Sequence, residues 1–254
     1  MSEQKQLTPF QQATVQVGKY AKSMADDKRS QQFMAIMALM AQKEPKIADA
    51  TPQSLMTALM ACVSLDLMPN TPEQFAYVIP YNNKRNGSIE AQFQIGYKGM
   101  VELAYRTGQI KAINAELVFE QDEFEVLLGT ERVLHHKPDY TIDRTKFNDI
   151  THVYATAKLA NGETVFEVLP VSDLKKIKDS AKASSTASPW ATWPESMAKK
   201  TAVKRLLKLL PQSAEDNRLV VAAEIDSLAE AGKLTIDEKG NVGEAPALIE
   251  PELT

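Results

Sequence analysis

Two stretches of this 254-residue chain alternate apolar and polar side chains with a period of two, and each is divided by an Asn-Gly pair. One joins residues 75–79 to 89–95 through Asn86-Gly87; the other joins 152–159 to 164–169 through Asn161-Gly162. A period of two sends successive side chains to opposite faces of a strand, and Asn-Gly tolerates the positive φ that a tight antiparallel turn demands. The chain must therefore build part of its core from hairpins. Residues 110–120 and 123–128 read as further strands, while 129–150, charged and weakly periodic, reads as a surface excursion.

Between the strands the apolar period becomes helical. Residues 1–28 are polar and weakly patterned, and Phe33, Ile36, Met37 and Met40 place a first helix after Ser30. Thr51-Pro52, a cap followed by a first-turn proline, opens a second helix bearing Leu55, Leu59 and Cys62 beside Met56, Met60 and Val63. Gly96 releases the chain from the first hairpin into a short helix with Met100, Leu103 and Ala104 on one face and Gly108 at its end. Ser172 caps a helix reaching about Lys182, residues 183–189 form a small-residue loop, and Pro194-Glu195 open a helix over 196–210 that Pro211 ends. A last helix is predicted over 215–231, and 232–254 is disordered or loosely docked. Strand pairs interrupted by helices, without a repeating strand and long-helix unit, specify an α+β fold: a central, mostly antiparallel sheet with hairpins, flanked by helices. Three regions follow: 1–50, helical and a candidate for oligomerisation; 51–212, the core; and 213–254, acidic, partly helical and then flexible.

No run approaches the roughly 18 apolar residues of a membrane-spanning helix, and Met1 to Pro9 lacks both a basic leader and an apolar signal core. No membrane association is expected, and the expected compartment is the cytoplasm. Cys62, the single cysteine, rules out an internal disulfide and a zinc site built from several cysteines. The formal net charge of −4 argues against a polyanionic partner until its distribution is considered. Residues 175–208 hold nine basic side chains against Asp179 and Glu195, whereas 215–254 hold ten acidic and three basic ones. One chain thus carries a positive patch and a negative tail.

The positive block centres on the helix over 196–210. On a helical projection Ala198, Ala202, Val203, Leu206, Leu207, Leu209 and Leu210 take about half the circumference, and Lys200, Lys204, Arg205 and Lys208 gather on the other half. Such a row suits phosphate contact, although a charge run is also the ordinary solvated face of a helix. Lys199 projects into the apolar half, where it must snorkel, pair with an acid or reach into a groove. Trp190 and Trp193, just ahead of the helix, can stack on bases or brace the loop. A second patch comprises Lys98, Arg106 and Lys111, with Tyr97 and Tyr105 as further stacking or bracing groups; Glu102 lies four residues from both Lys98 and Arg106 and can satisfy either. Gly96-Tyr97-Lys98-Gly99 resembles the glycine-bounded loop of some single-strand binders, its glycines permitting close backbone approach.

Enzyme signatures are missing. No glycine-rich loop ends in Gly-Lys-Ser or Gly-Lys-Thr, no His-Glu-x-x-His occurs, and His135, His136 and His152 lack ligand spacing. Asp122, Glu123 and Glu125 could hold magnesium near Asp139 or Asp143, but read more simply as a charged turn and the outward side chains of an edge strand. No catalytic residue and no cofactor is expected. A metal-dependent nuclease and a non-enzymatic scaffold remain the alternatives.

The same residues carry a resemblance to the RecT family of phage-type single-strand annealing recombinases. It runs from about Leu55 to Pro211 through Tyr77-Val78-Ile79-Pro80-Tyr81, Gln94-Ile95-Gly96-Tyr97-Lys98-Gly99-Met100, residues 104–109 with Arg106 and Gly108, residues 120–124, His152-Val153-Tyr154-Ala155 and residues 193–205. It departs from the family pattern at Asp66, where glycine is common, and at Met68, where an acid is common. The resemblance implies a single-strand annealing core that pairs complementary strands without ATP, in homologous recombination. It implies contact with single-stranded DNA and the nascent duplex, assembly into a ring or helical filament, and cooperation with a separate phage-type exonuclease; a host single-strand-binding protein is a further candidate partner. Lys98, Arg106, Lys199, Lys200, Lys204 and Arg205 are the DNA-contact positions it implies.

Overall fold

The computed structural model describes residues 8–24, 26–83, 87–180, 189–210, 218–237 and 241–244. Asn86, Lys182, the small-residue loop at 183–188, Pro211 and residues 245–254 lie outside the described residues. The fold is α+β with antiparallel pairing in every named sheet. The chain forms two compact units, one of residues 1–99 with 220–254 and the other of residues 100–219.

The first unit opens with helix α1 (Pro9–Met24), which the polar reading of residues 1–28 missed. Its signal was present: Ala13, Val17, Tyr20 and Ala21 recur on one face and are all buried. Helix α2 (Asp27–Lys43) starts where Asp26 accepts a hydrogen bond from the Arg29 amide at 2.7 Å. After the single turn α3 (Pro45–Ala48), α4 (Pro52–Ser64) begins as expected, Thr51 capping the Ser54 amide. Leu55 and every residue from Thr57 to Val63 is buried, so α4 is the axis of this unit. Beyond it Asp66 adopts φ +52°, and its carboxylate accepts a hydrogen bond from Arg29 Nε at 2.6 Å. Asp66 thus ties α2 to the end of α4 across the left-handed residue.

Strands β1 (Ala76–Asn83) and β2 (Ser88–Ile95) form the first hairpin, and Gly87 has the positive φ of +69° that the turn was read to need. Helix α5 (Tyr97–Arg106) follows at once. A Cβ on Gly96 would strike the Gln74 carbonyl and one on Gly99 the Phe75 carbonyl. The close approach permitted by these glycines is therefore made by the chain itself, and Tyr97-Lys98-Gly99 is the first turn of a helix, which corrects the loop reading.

The second unit is built on the sheet β3 (Ile110–Phe119), β6 (Ile150–Leu159) and β7 (Thr164–Pro170), with β6 central. Between β3 and β6 the chain inserts the hairpin β4 (Glu123–Leu127) and β5 (Val133–Lys137). Residues 129–150 are thus not the plain excursion expected, because Val133 to Lys137 zip onto β4 and Phe147–Asp149 make a 3₁₀ turn. At Asn161-Gly162 the Gly162 amide bonds Leu159 O at 3.0 Å and Gly162 takes φ +93°, closing β6 onto β7. Helices α6 (Val171–Ser180), α7 (Pro189–Thr192) and α8 (Pro194–Leu207) follow, and α8 packs across all three strands through Ala198, Ala202, Val203 and Leu206.

Helix α9 (Arg218–Glu230) leads the chain back into the first unit, where β8 (Leu234–Ile236) pairs with β9 (Val242–Glu244). The segment expected to be loose thus contains a hairpin with Ile236 buried and β8 packed against α4. No helix among the described residues is long and apolar enough to cross a membrane.

Candidate nucleic-acid interface

Helix α8 owes its position to its small residues. Ala198 and Ala202 are fully buried and let the helix lie close on the β3-β6-β7 sheet, while Val203, Leu206 and Leu207 fill the flanks. Lys204 is half-buried, Arg205 is 42% exposed and Lys208 is exposed. Lys200 does not join them: it is 4% exposed, because on the projection it borders Leu207 and the buried arc extends past it. The even split of the wheel is corrected there, and Leu209, expected inside, is 52% exposed. Lys199 takes the pairing route, its Nζ lying 3.2 Å from Glu116 Oε2 on β3.

Helix α6 adds cations that were not singled out from the sequence. Lys175, Lys176 and Lys178 are exposed, and Asp173 links the two helices, its oxygens lying 3.5 Å from Lys176 Nζ and 3.7 Å from Arg205 Nη1. The charge block in the sequence held this signal; the structure adds that α6 and α8 both pack on β6 and β7.

Trp190 is 5% exposed and braces the start of α8, whereas Trp193 is 67% exposed at its N-cap. On α5, Arg106 Nε bonds Glu102 at 3.0 Å, so the acid four residues back pairs with Arg106. Tyr105 is 41% exposed, yet its hydroxyl accepts the Ile113 amide at 3.1 Å and so holds β3. Lys111 is the extra residue of a bulge between Ile110 and Ala112 and points to solvent. In the first unit, Lys98 is exposed and Tyr97 half-buried at the start of α5.

The charged turn before β4 is a different object from the one the sequence suggested. Asp122 has no exposed side-chain surface; it accepts hydrogen bonds from the amides of Phe119 and Asp139, both at 2.8 Å, and two from Arg144, at 2.5 and 3.1 Å. His136 Nε2 lies 3.0 Å from the same carboxylate, and its Nδ1 lies 3.1 Å from the Tyr154 hydroxyl. Burial alone would raise the Asp122 pKa, but Arg144, the two amides and His136 hold its carboxyl well below the usual range. Burial and nearby carboxylates push the Tyr154 phenol up. The Asp122-His136-Tyr154 chain has the order of a catalytic relay, but the Asp122 side chain is fully buried and that of His136 only 4% exposed, and the phenol is not activated. Phe124 closes the cluster, its ring 5.9 Å from Tyr154 and 5.3 Å from His152. These groups fasten the β4-β5 hairpin to β6; Asp122 is not an outward residue, while Glu123 and Glu125 are exposed as expected. Among the described residues no three His, Cys, Asp or Glu side chains are grouped to hold a metal ion.

The geometry is that of a cation-bearing helix pair on a sheet, with an exposed indole at the start of α8. The model of the RecT family matches residues 31–239. Protein RecT of Escherichia coli (strain K12) is 39% identical over 197 residues, covering 77% of this chain and 69% of that protein. The uncharacterized protein YqaK of Bacillus subtilis (strain 168) is 29% identical over 182 residues, covering 71% of this chain and 59% of its own.

Proposed function

This chain belongs to the RecT family of recombination proteins, and on that premise we propose that it binds single-stranded DNA without regard to sequence and anneals complementary strands without ATP. The observation that carries the reading is the set of exposed cations on α6 and α8, Lys175, Lys176 and Lys178 on one helix and Arg205 and Lys208 on the other, both helices packing on β6 and β7. Cations that hold phosphate reduce repulsion between two strands and leave the base edges free, so pairing itself supplies selectivity. Lys199, Lys204, Arg106 and Lys111 are further proposed contacts of the second unit, and Lys98 is one of the first. Trp193 is the exposed candidate for stacking, and Trp190 and Tyr105 hold the framework. Lys200 supports the exposed cations from inside α8.

The proposed division of labour assigns residues 1–50 to self-association, 51–212 to DNA binding and annealing, and 213–254 to modulation. The outward face of α2 supports the first assignment: Gln31, Ala35, Ala38, Leu39 and Gln42 are exposed, and no charged residue occurs from Ser30 to Gln42. An array of subunits aligns many nucleotides at once and raises the effective concentration of complementary segments. A separate exonuclease that exposes the strand and a host single-strand-binding protein complete the proposed setting, in the cytoplasm.

The test measures anisotropy of labelled single strand and preformed duplex across a salt series, and annealing of two complementary oligonucleotides with no nucleotide and with chelator present. Tighter binding to the single strand, a negative salt slope and accelerated annealing are expected. Equal or stronger binding to duplex, or strand cleavage that chelator abolishes, sinks the reading.

A further inference from the structure

The cations of α8 do not face solvent alone. Lys199 is held at 3.2 Å by Glu116 from β3, and Asp173 on α6 lies 3.7 Å from Arg205 as well as 3.5 Å from Lys176 of its own helix. Both pairs are open to water: the side chains are 27% and 54% exposed in the first and 42% and 33% in the second. Two carboxylates on two different elements thus stand against Lys199 near the start of α8 and Arg205 near its end, at the places a phosphate oxygen would take on those cations. Neither acid is needed to neutralise a buried charge, which distinguishes them from Asp122.

Resting on the single-strand reading above, we propose that Glu116 and Asp173 are affinity-setting residues: built-in competitors that occupy Lys199 and Arg205 in the free protein and must be displaced by phosphate. A carboxylate and a phosphate oxygen offer a lysine or guanidinium the same kind of anionic partner, hydrogen-bonded at Lys199 and ion-paired at Arg205, so binding is an exchange of anions and its reverse is assisted by the acid already alongside. An exposed pair is weak enough for that exchange to proceed readily, and each competitor lowers affinity by about 2- to 5-fold. The consequence suits a protein that must grip a strand and then let go of a duplex. It also explains why the two acids lie among cations that a purely adhesive surface would leave uncovered.

Removing the competitors therefore strengthens binding. The variants are Glu116→Gln, Asp173→Asn and the double change, each keeping side-chain size, with Glu125→Gln as the control. Glu125 is an exposed acid on β4, which carries none of these cations, and its loss changes the net charge by the same amount as either single change. Binding of a labelled mixed-sequence single strand is followed by anisotropy across a salt series and by release into excess unlabelled strand, with thermal unfolding of each preparation alongside. The double variant is expected to bind on the order of tenfold tighter and to release the strand more slowly, with a salt slope close to the parent's, since the same phosphates are neutralised in both complexes. Glu125→Gln is expected to leave all three unchanged. Unchanged or weaker binding by folded Glu116→Gln and Asp173→Asn proteins overturns the proposal, as does an equal gain in the Glu125→Gln control, which would make the effect one of net charge. If the parent protein itself fails to bind single strand, the functional reading falls first, and the two failures are told apart by that measurement.

Discussion

At the scale of single residues, three side chains carry more of the structure than their type suggests. The Asp122 carboxylate is fully buried with five donors around it, so Asp122→Asn removes the charge opposite Arg144 and turns an amide NH2 toward groups that all donate. A loss of about 3–5 kcal/mol is expected in urea unfolding, with annealing per folded molecule unchanged. Asp66 sits at φ +52° and pairs with Arg29. Glycine relieves the backbone while losing the pair, whereas alanine loses the pair and keeps the strain; Asp66→Ala should therefore be less stable than Asp66→Gly by about 1–2 kcal/mol. Burial lowers the pKa of His152 from 6.5, so the folded state resists its protonation. A lowered folded pKa gives stability that is complete above the unfolded value and is lost as pH falls below it. The midpoint of thermal unfolding should accordingly drop as pH is taken below about 6.5, and the drop should shrink in His152→Gln. An equal pH dependence in both proteins would remove His152 from that account.

At the scale of elements, α8 shows how a helix can be read correctly and still be turned wrongly at its edge. Its start at Pro194 and its buried alanines and leucines follow from spacing, but Lys200 lies inside and Lys199 reaches out to Glu116. Apolar periodicity gives the centre of the buried arc, not its width, and the width is set by how far neighbouring elements wrap around. The double change Lys204→Gln with Arg205→Gln alters the open side, and is expected to slow annealing and to flatten the single-strand salt slope by about 0.7 for each phosphate no longer neutralised. Its unfolding midpoint should stay close to the parent's. Intact annealing in the folded double variant would take these two residues out of the DNA contact; a joint loss of folding and annealing would give them a structural role.

At the scale of the molecule, the chain leaves its first compact unit at Gly99 and returns to it at Val220. The acidic C-terminal stretch is therefore partly framework: Ile236 is 2% exposed and β8 lies against α4. Ile236→Ala should cost about 2–4 kcal/mol of stability, an effect that a merely solubilising tail would not show. For the proposed assembly, light scattering of the protein on long oligonucleotides should give complexes larger than a dimer, and charges placed on α2 by Ala35→Glu with Leu39→Lys should shrink them while the subunit stays folded. A strictly monomeric complex that still anneals would separate annealing from assembly.

Patterns that repeat along a few residues determined the hairpins at 75–95 and 152–169, the Thr51-Pro52 helix start, the Gly108 helix end and the α+β class, because strand alternation, capping and turn chemistry act between near neighbours in the chain. The basic block and the family likeness were legible for the same reason, as linear order. The Asp122-His136-Tyr154-Arg144 cluster was not, since its members are far apart in the sequence and look like surface residues until the β4-β5 pairing encloses them. The exclusion of Lys200, the pairing of Lys199 and Arg205 with acids from other elements, and the filling of the Gly96 and Gly99 clefts by the chain's own backbone were likewise decided by tertiary structure. Burial and ion pairing depend on what the rest of the chain brings alongside, and no period within one segment contains that information.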